Sequence, residues 1–169
     1  VNIHNFIYHI TEDDKTQVKL LMAGSPDITV DLPSDEIEPL KKELGDQVHV
    51  TPYLQTDYMS FNIKKPPFDN IKIRQALSMA IDRDTLINKV VKGGYVVNCG
   101  YVIPLSDYPA PKVPECDMNK IERVAKAKAL LLAGMAEAKV TKISVTIEST
   151  DNETEKKLAE AVSLMWKKT

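Results

Sequence analysis

Tyr58-Met59-Ser60-Phe61-Asn62-Ile63-Lys64-Lys65-Pro66-Pro67-Phe68-Asp69-Asn70-Ile71-Lys72-Ile73-Arg74-Gln75-Ala76-Leu77-Ser78-Met79-Ala80-Ile81-Asp82-Arg83-Asp84 changes period twice within 27 residues. Tyr58 to Asn62 alternates as an extended strand does. Pro66-Pro67 then enforces an extended turn, because each ring fixes its own φ and restricts the residue before it. Beyond the turn Ile73, Leu77, Ala80 and Ile81 recur at helical spacing, with Arg74 and Gln75 on other faces. Asp82 sits where the cap of a following helix belongs, with Leu86, Ile87, Val90 and Val91 as its buried stripe and Gly93-Gly94 as its stop. The stretch therefore predicts strand, turn, helix, helix, with Pro67 and Phe68 in the turn and the Phe68 ring largely buried.

Working outward, the same alternation of periods continues. Ile3 to Ile10 reads as a strand. Thr11, with Glu12, Asp13 and Asp14 behind it, is placed to cap a helix that buries Val18, Leu21 and Met22 and stops at Gly24 and Pro26. Ile28 to Val30 is a short β-prone run. Ser34 opens a second helix that buries Ile37, Leu40 and Leu44 and stops at Gly45, and Val48 to Leu54 is the next strand. On the other side, Tyr95 to Pro114 is rich in Pro, Tyr and Gly and shows no period, which marks a long irregular loop of a length that usually serves a purpose. Asn119 starts a Lys- and Ala-rich helix closed at Gly134. Ile143, Val145 and Ile147 alternate with Ser144 and Thr146 as a half-buried strand. The last helix carries Leu158, Ala161, Val162, Met165 and Trp166 on one side. Strands alternating with helices argue an α/β fold. A soft boundary lies near Tyr53 to Thr56.

The chain has 169 residues, a formal net charge of −2 and 43 % hydrophobic residues. That balance gives no electrostatic case for nucleic acid or an anionic membrane. No apolar run approaches the ~20 residues of a membrane span. Both ends fall inside predicted elements, so the chain reads as a piece of a longer one. Cys99 and Cys116 form no Cys-x-x-Cys pair and no Cys/His cluster, which argues against structural zinc. In an oxidising compartment they can close a short loop; otherwise they are two buried thiols.

Catalytic patterns are missing. His4, His9 and His49 lie in predicted strands without a Cys, Ser or carboxylate at catalytic spacing. There is no Gly-x-Ser-x-Gly elbow, no Gly-x-Gly-x-x-Gly and no P-loop. Asp82 and Asp84 flank Arg83, but capping and dipole complementarity at a helix start account for them. Glu148, Asp151, Glu153 and Glu155 lack the ligand spacing and central glycine of a calcium loop. No catalytic residue, metal site or cofactor is expected, and a small α/β enzyme is the weaker alternative.

Phe61-Asn62, Pro67-Phe68-Asp69-Asn70, Arg74-Gln75-Ala76-Leu77 and Asp82-Arg83, in that order, closely resemble the hallmark of the oligopeptide- and dipeptide-binding proteins of ABC importers. Fainter likeness extends to Gly24-Ser25-Pro26-Asp27-Ile28, to Pro104, to Ala127-Lys128-Ala129-Leu130-Leu131 and to the block from Ile147 to Trp166. The resemblance implies part of a two-lobed periplasmic-binding-protein fold with mixed sheets flanked by helices. Residues 1–54 would be the later part of the terminus-bearing lobe and residues 55–169 the first part of the second lobe. The implied function is capture of oligopeptides or dipeptides for uptake, in the periplasm or as a surface lipoprotein. The implied partners are a peptide, a membrane permease and the missing parts of its own chain. Related subfamilies bind nickel complexes, haem, murein peptide or sugars. By resemblance the strand Thr56 to Asn62 lines the cleft, with Tyr58 against the ligand and Ser60 at a pocket position that is glutamate in some relatives. The turn Ser149 to Glu155 is the second stretch. Ser149 and Glu155 stand near the peptide's carboxylate end, and Glu155 occupies the place of a histidine. An aspartate that anchors the peptide's ammonium group is expected beyond Thr169.

Overall fold

The computed structural model describes residues 3–30, 32–51, 53–103, 109 and 112–169. Pro104 lies outside them. The chain divides into two compact units, Val1–Val50 and Thr51–Thr169.

The first unit holds α1 (Asp14–Met22) and α2 (Ile37–Leu44), the latter followed by a 3-10 turn over Gly45–Gln47. The cap of α1 is Asp13, not Thr11; its carboxylate accepts from the amides of Lys15 and Thr16. A carboxylate adds favourable charge at the positive helix end, which a hydroxyl does not. Residues 34–36 form a turn, so α2 begins at Ile37, later than Ser34 predicts, and Glu36 makes no side-chain cap. Among the described residues of this unit Val18, Pro33 and Leu40 are buried. Thr29 donates to Gln17 at 2.9 Å and ties the run after α1 back to its helix.

The second unit is built from α3 (Ile71–Ala80), a short turn α4 (Arg83–Thr85) that continues as a π-helix over Leu86–Val91, α5 (Lys120–Glu137) and α6 (Glu153–Trp166). Asn62 opens the turn before α3, its side chain accepting from the amide of Lys64. Asn70 caps α3 and accepts from the amides of Lys72 and Ile73. The Arg74 guanidinium reaches back to the carbonyls of Phe68 and Asp69 at 2.7 and 3.0 Å, so it fixes the turn to the helix that follows it. Arg83 donates to the carbonyl and hydroxyl of Ser78 and thereby locks α4 to the end of α3. Phe68 is only half-buried, because its face stacks on Phe61 (centroids 5.7 Å apart) instead of entering the core.

Helices α3 and α5 pack so closely that Gly134 is a contact point and not a stop. A methyl group there would lie 2.7 Å from Ile73 Cγ1 and 3.0 Å from the Ile73 amide nitrogen. The helix runs on to Glu137, and Lys139 takes the left-handed conformation after it at φ 55°. Lys72 and Asn70 both bond Glu137, pinning the start of α3 to the end of α5. Met79, Ala80 and Ala127 form one buried cluster; Leu86, Val91 and Val162 form the other.

Among the described residues no segment is a paired strand. The described residues of the predicted strands at Ile3 to Ile10, Ile28 to Val30, Val48 to Leu54, Tyr58 to Asn62 and Ile143 to Ile147 form no ladder, so the mixed sheets of the expected α/β fold are absent among them. The physical reason is that a strand exists only through a neighbour at about 4.8 Å. The side-chain alternation is nonetheless present: Ile143, Val145 and Ile147 are half-buried, whereas Ser144 and Thr146 are exposed.

The irregular loop is stapled. Cys99 and Cys116 form a disulfide with Cα atoms 6.2 Å apart across a separation of 17 residues. Closing a loop of that length is worth about 3 kcal/mol in the chain-entropy model. The C99S/C116S double variant should lose about that much, read as a lower unfolding midpoint in urea; an unchanged midpoint would show that the loop does not depend on the bond.

Two further outcomes are expected. Gly134→Ala should destabilise by about 1–2 kcal/mol, overpacking against Ile73 outweighing the gain in helix propensity; a rise in melting temperature by circular dichroism would refute the close approach. Asp82 caps α4 through the Thr85 amide and pairs with Lys120 at 2.7 Å. The Lys120 ammonium, with the Thr85 bonds, holds the Asp82 carboxyl at about 2. Because the folded value is depressed, the stabilisation is complete above the ordinary carboxylate range and disappears as pH falls from about 4 to 2. Asp82→Asn keeps a capping oxygen, so it should cost about 1–2 kcal/mol at pH 7 and nothing near pH 2. A pH-independent difference in denaturation would exclude the ion pair as its cause.

Candidate binding surface

Tyr58 projects from the extended segment before the Pro-Pro turn and is 66 % exposed. Two residues on, Ser60 is also exposed. The side chain of Tyr58 is not adrift. Its ring meets Tyr101 edge to face, with centroids 5.1 Å apart. Asp57, next to it, accepts from Gln55 at 2.6 Å. Burial first, and then the Asp57 charge, raise the Tyr95 hydroxyl above its ordinary value. The loop thus meets this segment where Tyr101 touches Tyr58. Tyr101 went unread in the sequence, because a contact between an aperiodic loop and a strand-like run 43 positions away leaves no spacing signal.

The second predicted stretch has a different character. Ser149 is exposed. Glu155 turns back on its own loop and accepts from the Thr150 amide at 3.0 Å and the Thr150 hydroxyl at 2.7 Å. Those bonds, the hydroxyl first, lower its carboxyl below the ordinary range and keep it charged. Asn152 caps α6 through the amides of Thr154 and Glu155. Glu155, at the third helical position, thus ties the approach to α6 at Thr150, while the Asn152 amide donates to the Thr150 hydroxyl at 3.3 Å. Among the described residues no hydrogen bond, ion pair or ring contact joins Tyr58 or Ser60 to Ser149 or Glu155.

A cleft of about 540 Å³ lies elsewhere, between the end of α3, the start of α5 and the disulfide loop, lined among others by Met79, Arg83, Cys116, Lys120 and Arg123. Most of its charged groups are engaged. Asp82 pairs with Lys120, Arg83 serves Ser78, and Arg123 donates to the Ile81 carbonyl. Burial, reinforced by Arg123, lowers the Arg83 pKa. The cleft contains none of the predicted ligand residues. Among the described residues no group of three or more His, Cys, Asp or Glu side chains is arranged to hold a metal, and no helix is long and apolar enough to cross a membrane.

The chain is similar to known binding proteins along its whole length. It is 36 % identical over 169 residues to the periplasmic oligopeptide-binding protein OppA of Escherichia coli, covering 98 % of this chain and 31 % of that protein. Among solved structures it superposes on the E. coli murein tripeptide-binding protein MppA with a TM-score of 0.76 at 30 % identity, over 90 % of this chain and 30 % of the other. It also superposes on Haemophilus influenzae OppA, solved in complex with RPPGFSPFR, with a TM-score of 0.72 at 32 % identity, over 92 % of this chain and 31 % of that one. The chain thus spans about 31 % of the length of these relatives. These relatives are named as binding proteins for oligopeptides or murein tripeptide. Residues 1–169 match the model of the bacterial extracellular solute-binding proteins, family 5, middle region, and the chain belongs to that family.

Proposed function

We propose that this chain is the middle section of the solute-binding component of an ABC importer, which captures oligopeptides or dipeptides in the periplasm or at the cell surface and passes them to a membrane permease. The observation that carries this reading is the 36 % identity to an oligopeptide-binding protein over 98 % of the chain. The exposed Tyr58 segment supports it. Residues 1–54 then belong to the later part of the terminus-bearing lobe, and residues 55–169 begin the second lobe. The unpaired extended segments gain their ladders from the rest of the protein, which completes the mixed sheets of a two-lobed fold. Such a cleft holds extended peptides by main-chain hydrogen bonds, common to all sequences, and leaves side chains to wet, adaptable pockets.

Tyr58 offers the ligand a flat apolar ring and a hydroxyl. Ser60 leaves its pocket uncharged. Ser149 and Glu155 bound the other end, where the Glu155 charge disfavours a nearby peptide carboxylate. Titration calorimetry of the longer protein with RPPGFSPFR should show micromolar or tighter binding, about −8.2 kcal/mol or better. The 169-residue chain alone should be weaker by at least a hundredfold, since it supplies only part of the walls that bury such a ligand. Failure of the longer protein to bind any peptide, with tight binding of a nickel complex, haem or a sugar, would overturn the peptide reading. Equal affinity in both proteins would overturn the division into lobes.

A further inference from the structure

Tyr58 and Tyr101 are both large, both mostly exposed (66 % and 71 %), and in edge-to-face contact at 5.1 Å. Two exposed rings in contact present a joint apolar surface. The position of Tyr101 is built rather than incidental. Asn98 brackets the turn before it, accepting from the Gly100 amide at 3.1 Å and donating to the Val102 carbonyl at 3.4 Å. Cys99, inside that bracket, is bonded to Cys116 four residues ahead of α5. The Cys116 end is itself fixed by a 3-10 turn over Pro114–Cys116, and Glu115 within that turn pairs with Lys126 of α5 at 3.3 Å. The helix therefore holds the disulfide, the disulfide holds the turn, and the turn sets Tyr101 against Tyr58. Neither ring enters either core cluster.

We infer that Tyr101 is a second ligand-facing ring, which forms with Tyr58 a two-tyrosine wall for an aromatic or bulky apolar side chain of the bound peptide, and that the Cys99–Cys116 disulfide holds it there. The inference rests on the reading of Tyr58 as a cleft residue. Edge and face contacts from a third ring satisfy both tyrosines, because aromatic pairs prefer offset and T-shaped geometry at 4.5–7 Å separations. A rigid aromatic wall costs little side-chain entropy on binding, which suits it to select size and flatness without selecting sequence.

The test uses the longer protein, titrated with RPPGFSPFR and with the same peptide carrying alanine at both phenylalanines. Tyr101→Ala should weaken the phenylalanine peptide by about 3- to 10-fold, the range of a lost aromatic contact, and the alanine peptide by less than about 2-fold. Tyr101→Phe keeps the ring and should retain the preference. The C99S/C116S double variant should reproduce the Tyr101→Ala pattern. Equal weakening for both peptides would mean a structural role only and would overturn the inference. So would parental binding by Tyr101→Ala when Tyr58→Ala is impaired. If Tyr58→Ala also binds both peptides as the parent does, the cleft reading of this segment fails and the inference fails with it.

Discussion

The indole N–H of Trp166 donates to the Leu77 carbonyl at 2.8 Å, and the rest of the second unit is arranged around that bond. Among the described residues Trp166 is the one side chain packed against both buried clusters. Its ring also stacks on Phe61 at 6.3 Å, and Phe61 stacks on Phe68 of the Pro-Pro turn. A single residue at the end of α6 thus binds the end of α3, both halves of the core and the segment leading to Tyr58. The hydrogen bond sets the orientation of the indole, and the orientation decides which faces are left for the two phenylalanines. A phenylalanine there would fill volume without fixing the segment, because it lacks the N–H that orients the indole.

The helices were legible in the sequence because their signals are local. Asn119, Asp82 and the apolar stripe from Leu158 to Trp166 act within a few residues of themselves, and each does what its spacing implies. Misreadings came where two local signals competed. Thr11 and Asp13 are both capping residues, and the carboxylate prevails. Gly134 reads as a stop until the partner helix is known; its real constraint is the Ile73 backbone, 61 positions away. Strands were legible as patterns but not as structures. Ile143, Val145 and Ile147 keep their period-2 burial with no partner in place, so the pattern records a surface meant to be half covered, while the ladder requires a second chain segment.

The candidate site was read less completely than the fold, for the same reason. Tyr58 was singled out through its position beside the hallmark, which is a local signal. Its ring contact with Tyr101 was not legible, because that contact crosses a loop without period that carries a disulfide whose pairing the sequence left open. Glu155 shows the converse. Its charge and place suggested a ligand role, while its bonds to Thr150 give it a structural task that a sequence reading does not weigh.

The motif that identifies the family is largely spent on holding itself together. Asn70 caps α3 and reaches Glu137, Arg74 binds the turn carbonyls, Asp82 caps α4 and pairs with Lys120, and Arg83 holds Ser78. Each of these groups is occupied, and replacing any of them leaves a partner unsatisfied, which is costly where the partner is shielded from water. Tyr58, Ser60 and Tyr101 carry no comparable internal duties: one ring contact joins the tyrosines, and all three residues are exposed. Substitution there costs the fold little. The fold of the second unit is therefore written in the bonded residues of the motif, and the exposed residues beside it are left open to change at little cost to that fold.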